Sequence, residues 1–281
     1  MIYILVNPLA NNGRGRKEAE RFLEGEKGDK TFVNVQDLRD YEGFFSALAP
    51  EDVIVIAGGD GTLQHFINDM PKGALEHKIY FYPCGSGNDF GHDINYNRED
   101  GWIEMNAYIS DLPTVRLKGE ERRFLNNVAM GIDGYVCEKA DEHRRKSGRK
   151  VNYTSIALKG LLYDYKPCKA WITTEEGTRE YEHVWMAPTM KGRFFGGGMM
   201  ITPMQDRNRE DRALTIAVVH EKNKFKLLSI FPKIFTGDHV GYKESVSFLT
   251  TKHVKVEFEH PVSVQIDGET YLQVKEYEVF A

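Results

Sequence analysis

Five residues, Gly58-Gly59-Asp60-Gly61-Thr62, follow directly on the strongest apolar run of the chain, Val53-Ile54-Val55-Ile56-Ala57. Leu63, Phe66, Ile67 and Met70 then repeat at helical spacing. Strand, glycine turn and helix, in that order, present backbone N–H groups and a helix N-terminus to a phosphate. The glycines admit a close backbone approach, Thr62 can cap the helix, and Asp60 sets a carboxylate beside the anion. Such a carboxylate is repulsive unless Mg²⁺ lies between, so Asp60 argues for a metal–nucleotide complex. A tight turn with Asp60 as a helix cap accounts for the same residues without a ligand.

A second turn, Pro83-Cys84-Gly85-Ser86-Gly87-Asn88-Asp89-Phe90, follows another buried run, Ile79-Tyr80-Phe81-Tyr82. Glycine turns at successive strand ends line one crevice at the carboxyl edge of a parallel sheet, which brings Gly85 and Asn88 to the same ligand. The commoner nucleotide motifs do not apply. There is no G-x-x-x-x-G-K-[ST], and Gly13-Arg14-Gly15 meets Glu18 where a dinucleotide fingerprint needs its third glycine.

Near the end of the chain, Asp267 and Glu269 flank Gly268. On a strand, residues i and i+2 share a face, and both carboxylates then enter one site. One can accept the proton of an attacking hydroxyl while the other positions it or a metal. An Asp-Gly hairpin turn is the structural alternative.

These groups need a frame. Ile2 to Val6 reads as a buried parallel strand ending at Asn7-Pro8, and Thr31 to Val35 as another. Helices are predicted over Arg16 to Glu24, and around Phe44, Phe45 and Leu48. Strands alternating with helices predict βαβ units and a parallel sheet. The pattern changes near residue 113. Alternating strands then dominate, as in Trp171-Ile172-Thr173, Val184-Trp185-Met186, Leu214 to Val219, Val254 to Phe258 and Val262 to Ile266. Helical stretches interrupt them around 138–163 and 224–236. The expectation is an α/β nucleotide-binding domain with a parallel sheet at 1–112. A β-rich antiparallel domain follows at 113–281, its last strand placed to pack back on the first domain.

Length agrees with two domains, since 281 residues exceed the usual ~150 per domain. With 41% hydrophobic and 28% charged residues, wholesale disorder is excluded. A net charge of −5 offers no positive field for nucleic acid. Cys84, Cys137 and Cys168 form no C-x-x-C, which excludes a zinc ribbon or a disulfide framework. The opening apolar run is too short for a signal peptide, and no stretch nears the ~18 apolar residues of a membrane span. The expectation is a soluble, cytoplasmic protein.

Six blocks in order resemble the diacylglycerol kinase catalytic domain family, which includes bacterial lipid kinases and sphingosine kinases. They are Asn7-Pro8, Gly58–Thr62, the Pro83–Phe90 turn, Phe124-Leu125-Asn126-Asn127-Val128-Ala129-Met130-Gly131-Ile132-Asp133, Gly196-Gly197-Gly198-Met199, and Gln265-Ile266-Asp267-Gly268-Glu269. The resemblance implies ATP-dependent phosphoryl transfer to a lipid hydroxyl, of diacylglycerol or a related long-chain lipid. It also implies an α/β ATP-binding domain joined to a β-sandwich lipid-substrate domain, with the active site in the cleft where they meet. Gly58, Gly59, Asp60, Gly61 and Thr62 would hold ATP phosphates, with Asn7 and Ser86 nearby. Asp60 and Asp133 would place Mg²⁺, and Glu269 would accept the proton with Asp267 beside it.

One block departs from the family. Its usual P-x-A-x-x-D-D-G-x-L-D, whose acids bind a structural Mg²⁺, stands here as Pro203-Met204-Gln205-Asp206-Arg207-Asn208-Arg209-Glu210-Asp211-Arg212-Ala213-Leu214-Thr215. Asp211 or Asp206 remains as a metal ligand, unless the three arginines neutralise the acids in place of a cation.

Two stretches suit a membrane surface. Arg144 to Lys150 holds five cations in seven residues, a cluster that docks on anionic headgroups when it is not simply a solvated helix end. Phe225, Leu228, Phe231 and Phe235 alternate with lysines, which fits an interface or a core-packing helix. The expected partners are therefore ATP, Mg²⁺ and a lipid met by peripheral membrane contact, with a homodimer left open. A soluble kinase of the NAD kinase type, which shares the G-G-D-G-T turn, and a nucleotide-binding regulator without catalysis are the competing readings.

Overall fold

Continuous apolar runs become the parallel core of the first of two units. The computed structural model describes residues 1–8, 15–23, 28–85, 87–147 and 151–281. The chain divides into two compact units, Met1–Leu112 and Pro113–Ala281.

In the first unit, β1 (Ile2–Val6), β2 (Lys30–Asn34), β3 (Val53–Gly58) and β4 (Lys78–Pro83) are parallel, and β5 (Ile103–Glu104) closes the edge antiparallel to β4. The order is β2-β1-β3-β4-β5. Both faces are buried, which is why the runs lack alternation. Ile4, Val6, Val55 and Ala57 pack with Ala19 and Leu23 of helix α1 (Gly15–Leu23). The alternate residues Leu5, Ile54 and Ile56 are equally buried. Helices α2 (Tyr41–Ser46) and α3 (Asp60–Asp69) contribute Phe45 and Phe66, whose rings meet at 6.3 Å. The short helices α4 (Asp89–Asp93) and α5 (Asn106–Ile109) flank β5 in the sequence. With β1 and β3 adjacent and the chain running to β2 on one side and β4 on the other, the strand order reverses at β1/β3. That reversal is where open α/β sheets bind ligands, outside the carboxyl ends of the strands.

The second unit is antiparallel throughout. Its strands are β6 (Thr114–Leu117), β7 (Glu120–Arg123), β8 (Asn127–Gly131), β9 (Cys168–Thr174), β10 (Gly177–Met190), β13 (Leu214–His220), β14 (Val246–Thr251), β15 (His253–Ile266) and β16 (Glu269–Phe280), with the small hairpin β11 (Phe194–Phe195) and β12 (Met199–Met200) apart. The two 14-residue strands β10 and β15 organise the unit. Each pairs with β9 along its first half and with β8 along its second, and each changes register at a bulge in between. Bulged long strands of this kind pass from one layer to the other and enclose a core. Val128, Met130, Ile172, Val184, Val256, Phe258 and Ile266 fill it. The last strand, β16, pairs with β15 and β6 of this unit.

Three helices lie on this unit: α6 (Ile132–Ser147), α7 (Tyr153–Lys159) and α8 (Lys224–Ile230). A second cluster of Leu161, Tyr165, Trp185, Leu227, Ile230 and Ile234 seats α8 and the turn that follows α7. The apolar-basic stretch 224–236 is thus core-packing along most of its length, with Leu228 and Phe231 partly covered and Phe225 and Phe235 exposed.

Candidate active site

The three strand exits at the reversal are tied side by side through the backbone. The Asn7 amide donates to Ala57 O at 3.2 Å, and the Cys84 amide to Gly58 O at 2.9 Å. The Asn7 side chain then donates to Thr62 Oγ1 at 3.2 Å, joining the end of β1 to the first turn of α3. Thr62 is not the helix cap that the sequence suggested. Gly59 holds that position without any side-chain bond, and Thr62 sits buried two residues inside α3. The Thr62 and Leu63 amides donate to Gly59 O at 3.0 and 3.1 Å, which leaves the Asp60 and Gly61 amides, at the positive end of the helix dipole, without an acceptor among the described residues. A Cβ built on Gly61 meets nothing within 4 Å.

The two glycine turns touch. A Cβ on Gly85 would lie 2.5 Å from Gly59 Cα, and one on Gly59 3.2 Å from Gly85 Cα, so backbone packs directly on backbone, Gly85 admits no side chain and Gly59 leaves little room for one. Asp60 locks the pair: its two carboxylate oxygens accept from the Asp89 amide at 3.1 Å and the Phe90 amide at 3.2 Å. Asp60 does cap a helix, but the helix is α4 of the second turn. Asn88 stands in the left-handed region at φ 53° and donates to Gly85 O at 3.1 Å. Ser86 lies outside the described residues. A half-buried Asp60 beside an uncapped helix N-terminus fits a magnesium–phosphate ligand, since Mg²⁺ commonly takes one or two carboxylates and completes its shell with phosphate and water.

In the second unit, Asp267 and Gly268 form the two-residue turn between β15 and β16. Ile266 pairs with Glu269, and the turn φ angles are 45° and 90°. The hairpin alternative is therefore what the backbone adopts, because Asp-Gly meets the positive φ values that this turn demands. Asp267 and Glu269 do not share a strand face. Asp267, 7% exposed, turns back and accepts from the amides of Leu125 (2.5 Å), Asn126 (2.9 Å) and Asn127 (2.8 Å). Its carboxylate holds that segment in place. Glu269 is half-buried at the start of β16, and no hydrogen bond or salt bridge engages its carboxylate among the described residues.

Asp133 lies in the first turn of α6 and is 8% exposed. A Cβ on Gly134 would fall 1.9 Å from Ser263 O, so this glycine lets the helix press onto β15. Gln265 of β15 donates to Asp133 Oδ2 at 2.6 Å and accepts from the Gly268 amide at 2.7 Å, linking Asp133 to the hairpin. Burial pushes the Asp133 carboxyl up to about 6, and the Gln265 bond opposes the rise. Gln265 had no role in the sequence reading. Its signal was a lone amide within Val262–Ile266, since a buried polar side chain needs a partner.

The segment 203–215 does not offer its acids to a metal. Both Asp211 oxygens are held by Arg209, at 2.5 and 2.9 Å, and one of them also by the Ala213 amide. That pairing keeps the Asp211 carboxyl below its usual range. Asp206 accepts from the Asn208 amide. Of the three arginines, Arg209 neutralises an acid, whereas Arg207 is 7% exposed and donates to Asn126 Oδ1 at 2.9 Å. Arg207 thus braces the same segment that Asp267 holds. Among the described residues no group of three or more His, Cys, Asp or Glu converges as a metal cage.

Comparisons with known proteins find relatives for both parts of the chain. Residues 1–114 match the diacylglycerol kinase catalytic domain, and residues 126–276 match the YegS C-terminal NAD kinase beta sandwich-like domain. A diacylglycerol kinase from Mycobacterium tuberculosis is 28% identical over 287 residues, covering 94% of this chain and 87% of the relative. The solved structure of a diacylglycerol kinase from Bacillus anthracis shares the fold, with a TM-score of 0.65 at 20% identity over 99% of this chain and 93% of that one.

Proposed function

The chain belongs to the kinase family that joins a diacylglycerol kinase catalytic domain to a YegS-type β-sandwich domain, and from that premise we propose that it transfers phosphate from ATP to a hydroxyl of diacylglycerol or a related long-chain lipid. One observation carries the nucleotide part: the uncapped α3 N-terminus and the Asp60-locked glycine turns stand together at the reversal of strand order. There the α3 amides and the glycine backbone would bind the phosphates, with Asn7 fixing Thr62. Asp60 would hold Mg²⁺, whose charge offsets that of the phosphates. Gly85 and Asn88 would belong to the same nucleotide environment.

Glu269 is the proton acceptor in this reading. Asp267 is committed to three amides and acts as its positioning residue. Asp133 is the second candidate base, with its carboxyl raised toward neutrality. The lipid is met by peripheral contact with a membrane: no helix of the described residues is long and apolar enough to cross one.

Labelled ATP and Mg²⁺, offered a lipid panel in mixed micelles alongside NAD, tests the reading. Label in a lipid is expected. Label in NAD and in no lipid would overturn it, and the NAD arm is kept because the second unit matches a sandwich described as NAD kinase-like. Glu269→Gln is expected to lower kcat by about 10²–10⁴-fold with ATP affinity nearly intact. A kcat within about twofold of the parent would move the base to Asp133.

A further inference from the structure

The segment 203–215 leaves its acids at the surface and buries a guanidinium. Asp206, Glu210 and Asp211 are exposed, whereas Gln205, Arg207 and Thr215 are buried. Arg212 stands where the family motif has glycine, and it still takes the left-handed backbone, at φ 60°. The turn is therefore kept while its residue types have changed. Thr215 stands where that motif ends in aspartate, and its hydroxyl donates to Gln205 Oε1 at 2.6 Å. Gln205 in turn donates to Lys191 O at 3.3 Å and to Ala213 O at 3.0 Å.

Arg207 supplies the charge. Its guanidinium donates to Asn126 Oδ1 at 2.9 Å and to Leu125 O at 3.5 Å. Leu125, Asn126 and Asn127 give their amides to the buried Asp267 carboxylate. A buried cation thus holds oxygens of this segment and a buried anion its amides, and Asp267 begins the turn that delivers Glu269. A divalent ion here would need several oxygens aimed at one point. The carbonyls of Leu125, Lys191 and Ala213 instead accept from Arg207 and Gln205. An added Mg²⁺ would also meet the like charge of Arg207 where water screens it poorly.

We infer that Arg207, with Gln205, takes the part that the family motif gives to a structural Mg²⁺, and that Arg207 is a positioning residue for Glu269. A guanidinium is a planar fork of donors fixed by covalent structure. The segment 125–127 and the hairpin bonded to it therefore keep their geometry whatever the Mg²⁺ concentration, and magnesium is called for by ATP alone. The positioning part rests on the lipid-kinase reading with Glu269 as base, whereas the replacement of the metal stands without it.

Amide hydrogen exchange of the full, ATP-free chain tests the replacement without turnover. MgCl₂ or EDTA is expected to leave the amides of Leu125, Asn126 and Asn127 equally protected, and protection that rises with Mg²⁺ would overturn it. Arg207→Ala should speed their exchange by about tenfold or more. Guanidinium ion at ~20 mM, too dilute to denature, should restore most of the protection, and the same concentration of Mg²⁺ none. Parental exchange in Arg207→Ala, or protection regained with Mg²⁺, would overturn the inference. Arg207→Lys keeps the charge without the fork and serves where Arg207→Ala does not fold; faster exchange is expected, and parental exchange there overturns the role of the fork. With lipid and ATP, Arg207→Ala should lower kcat by about 10- to 100-fold while KM for ATP stays within about twofold, and guanidinium should raise kcat again. A rise in KM for ATP with kcat unchanged would overturn the positioning role. If the parent phosphorylates no lipid, the proposed function falls, and the exchange results still decide whether Arg207 replaces the metal.

Discussion

Two carboxylates in this chain hold a neighbouring turn by its backbone amides, and they do so with opposite access to water. Asp60 is half-buried and binds the amides of Asp89 and Phe90, 29 and 30 residues downstream. Asp267 is buried and binds three amides some 140 residues upstream. Near water, losing such a carboxylate leaves amides that can hydrate; in the interior it leaves them stranded. The half-buried acid keeps lone pairs within reach of a ligand, whereas the buried one is spent on the scaffold.

Removing each carboxylate breaks or sharpens this contrast, and the largest effect is expected at Asp267. Asp267→Ala strands three buried N–H groups and puts alanine at positive φ, a loss of about 3–5 kcal/mol by denaturant unfolding. A loss below ~1 kcal/mol would mean that other bonds hold residues 125–127. Next comes Asp133, with the opposite sign. Its carboxyl, raised to about 6 in the fold, stays protonated while the unfolded chain ionises, so stability falls as pH rises from about 4 through 6. Asp133→Asn should remove that fall, gaining up to about 3 kcal/mol at pH 7 and nothing near pH 3, as read by Tm across pH. Equal Tm profiles for parent and variant would show that Asp133 is not desolvated.

Gly85→Ala drives a methyl against Gly59 and is expected to cost about 1–3 kcal/mol by denaturant unfolding, and to weaken ATP binding; an unchanged affinity would detach the turns from the nucleotide. Asp60→Ala should cost only about 1–2 kcal/mol of stability, yet abolish turnover. A folded Asp60→Ala protein with near-normal kcat would remove the acid from the phosphate site. The smallest effect concerns segment 203–215. With Arg209 on Asp211, chelating divalent cations should shift the Tm of the ATP-free protein by less than about 1 °C, whereas a shift of several degrees would restore a structural metal.

What was legible in the sequence follows the same divide. The parallel sheet announced itself through Val53–Ala57 and Ile79–Tyr82, and the glycine turns through their position after those runs, because strand, turn and helix are local. Asp-Gly carried its hairpin in two residues, and that reading outweighs the strand argument once the positive φ of Asp267 is seen. The links between distant segments were not written locally. Nothing around Asp60 indicates that it caps α4, because its partners are main-chain amides that any sequence supplies. Arg207 reads as a neutraliser of the acids beside it, but it reaches Asn126, 81 residues away. Gln265 shows only that it needs a partner, not that the partner is Asp133.

The insertion of β8 also governs when the second unit can be completed. One edge of β8 pairs with β10, and the other waits for Val264–Ile266 and the Asp267 carboxylate. Until that late segment joins, β8 carries an open row of amides and carbonyls, the kind of edge that recruits stray strands. Contacts separated by about 140 residues close slowly, since the intervening loop must first surrender its freedom. During synthesis the early strands of this unit therefore remain vulnerable to mispairing until the β15–β16 hairpin arrives to seal them.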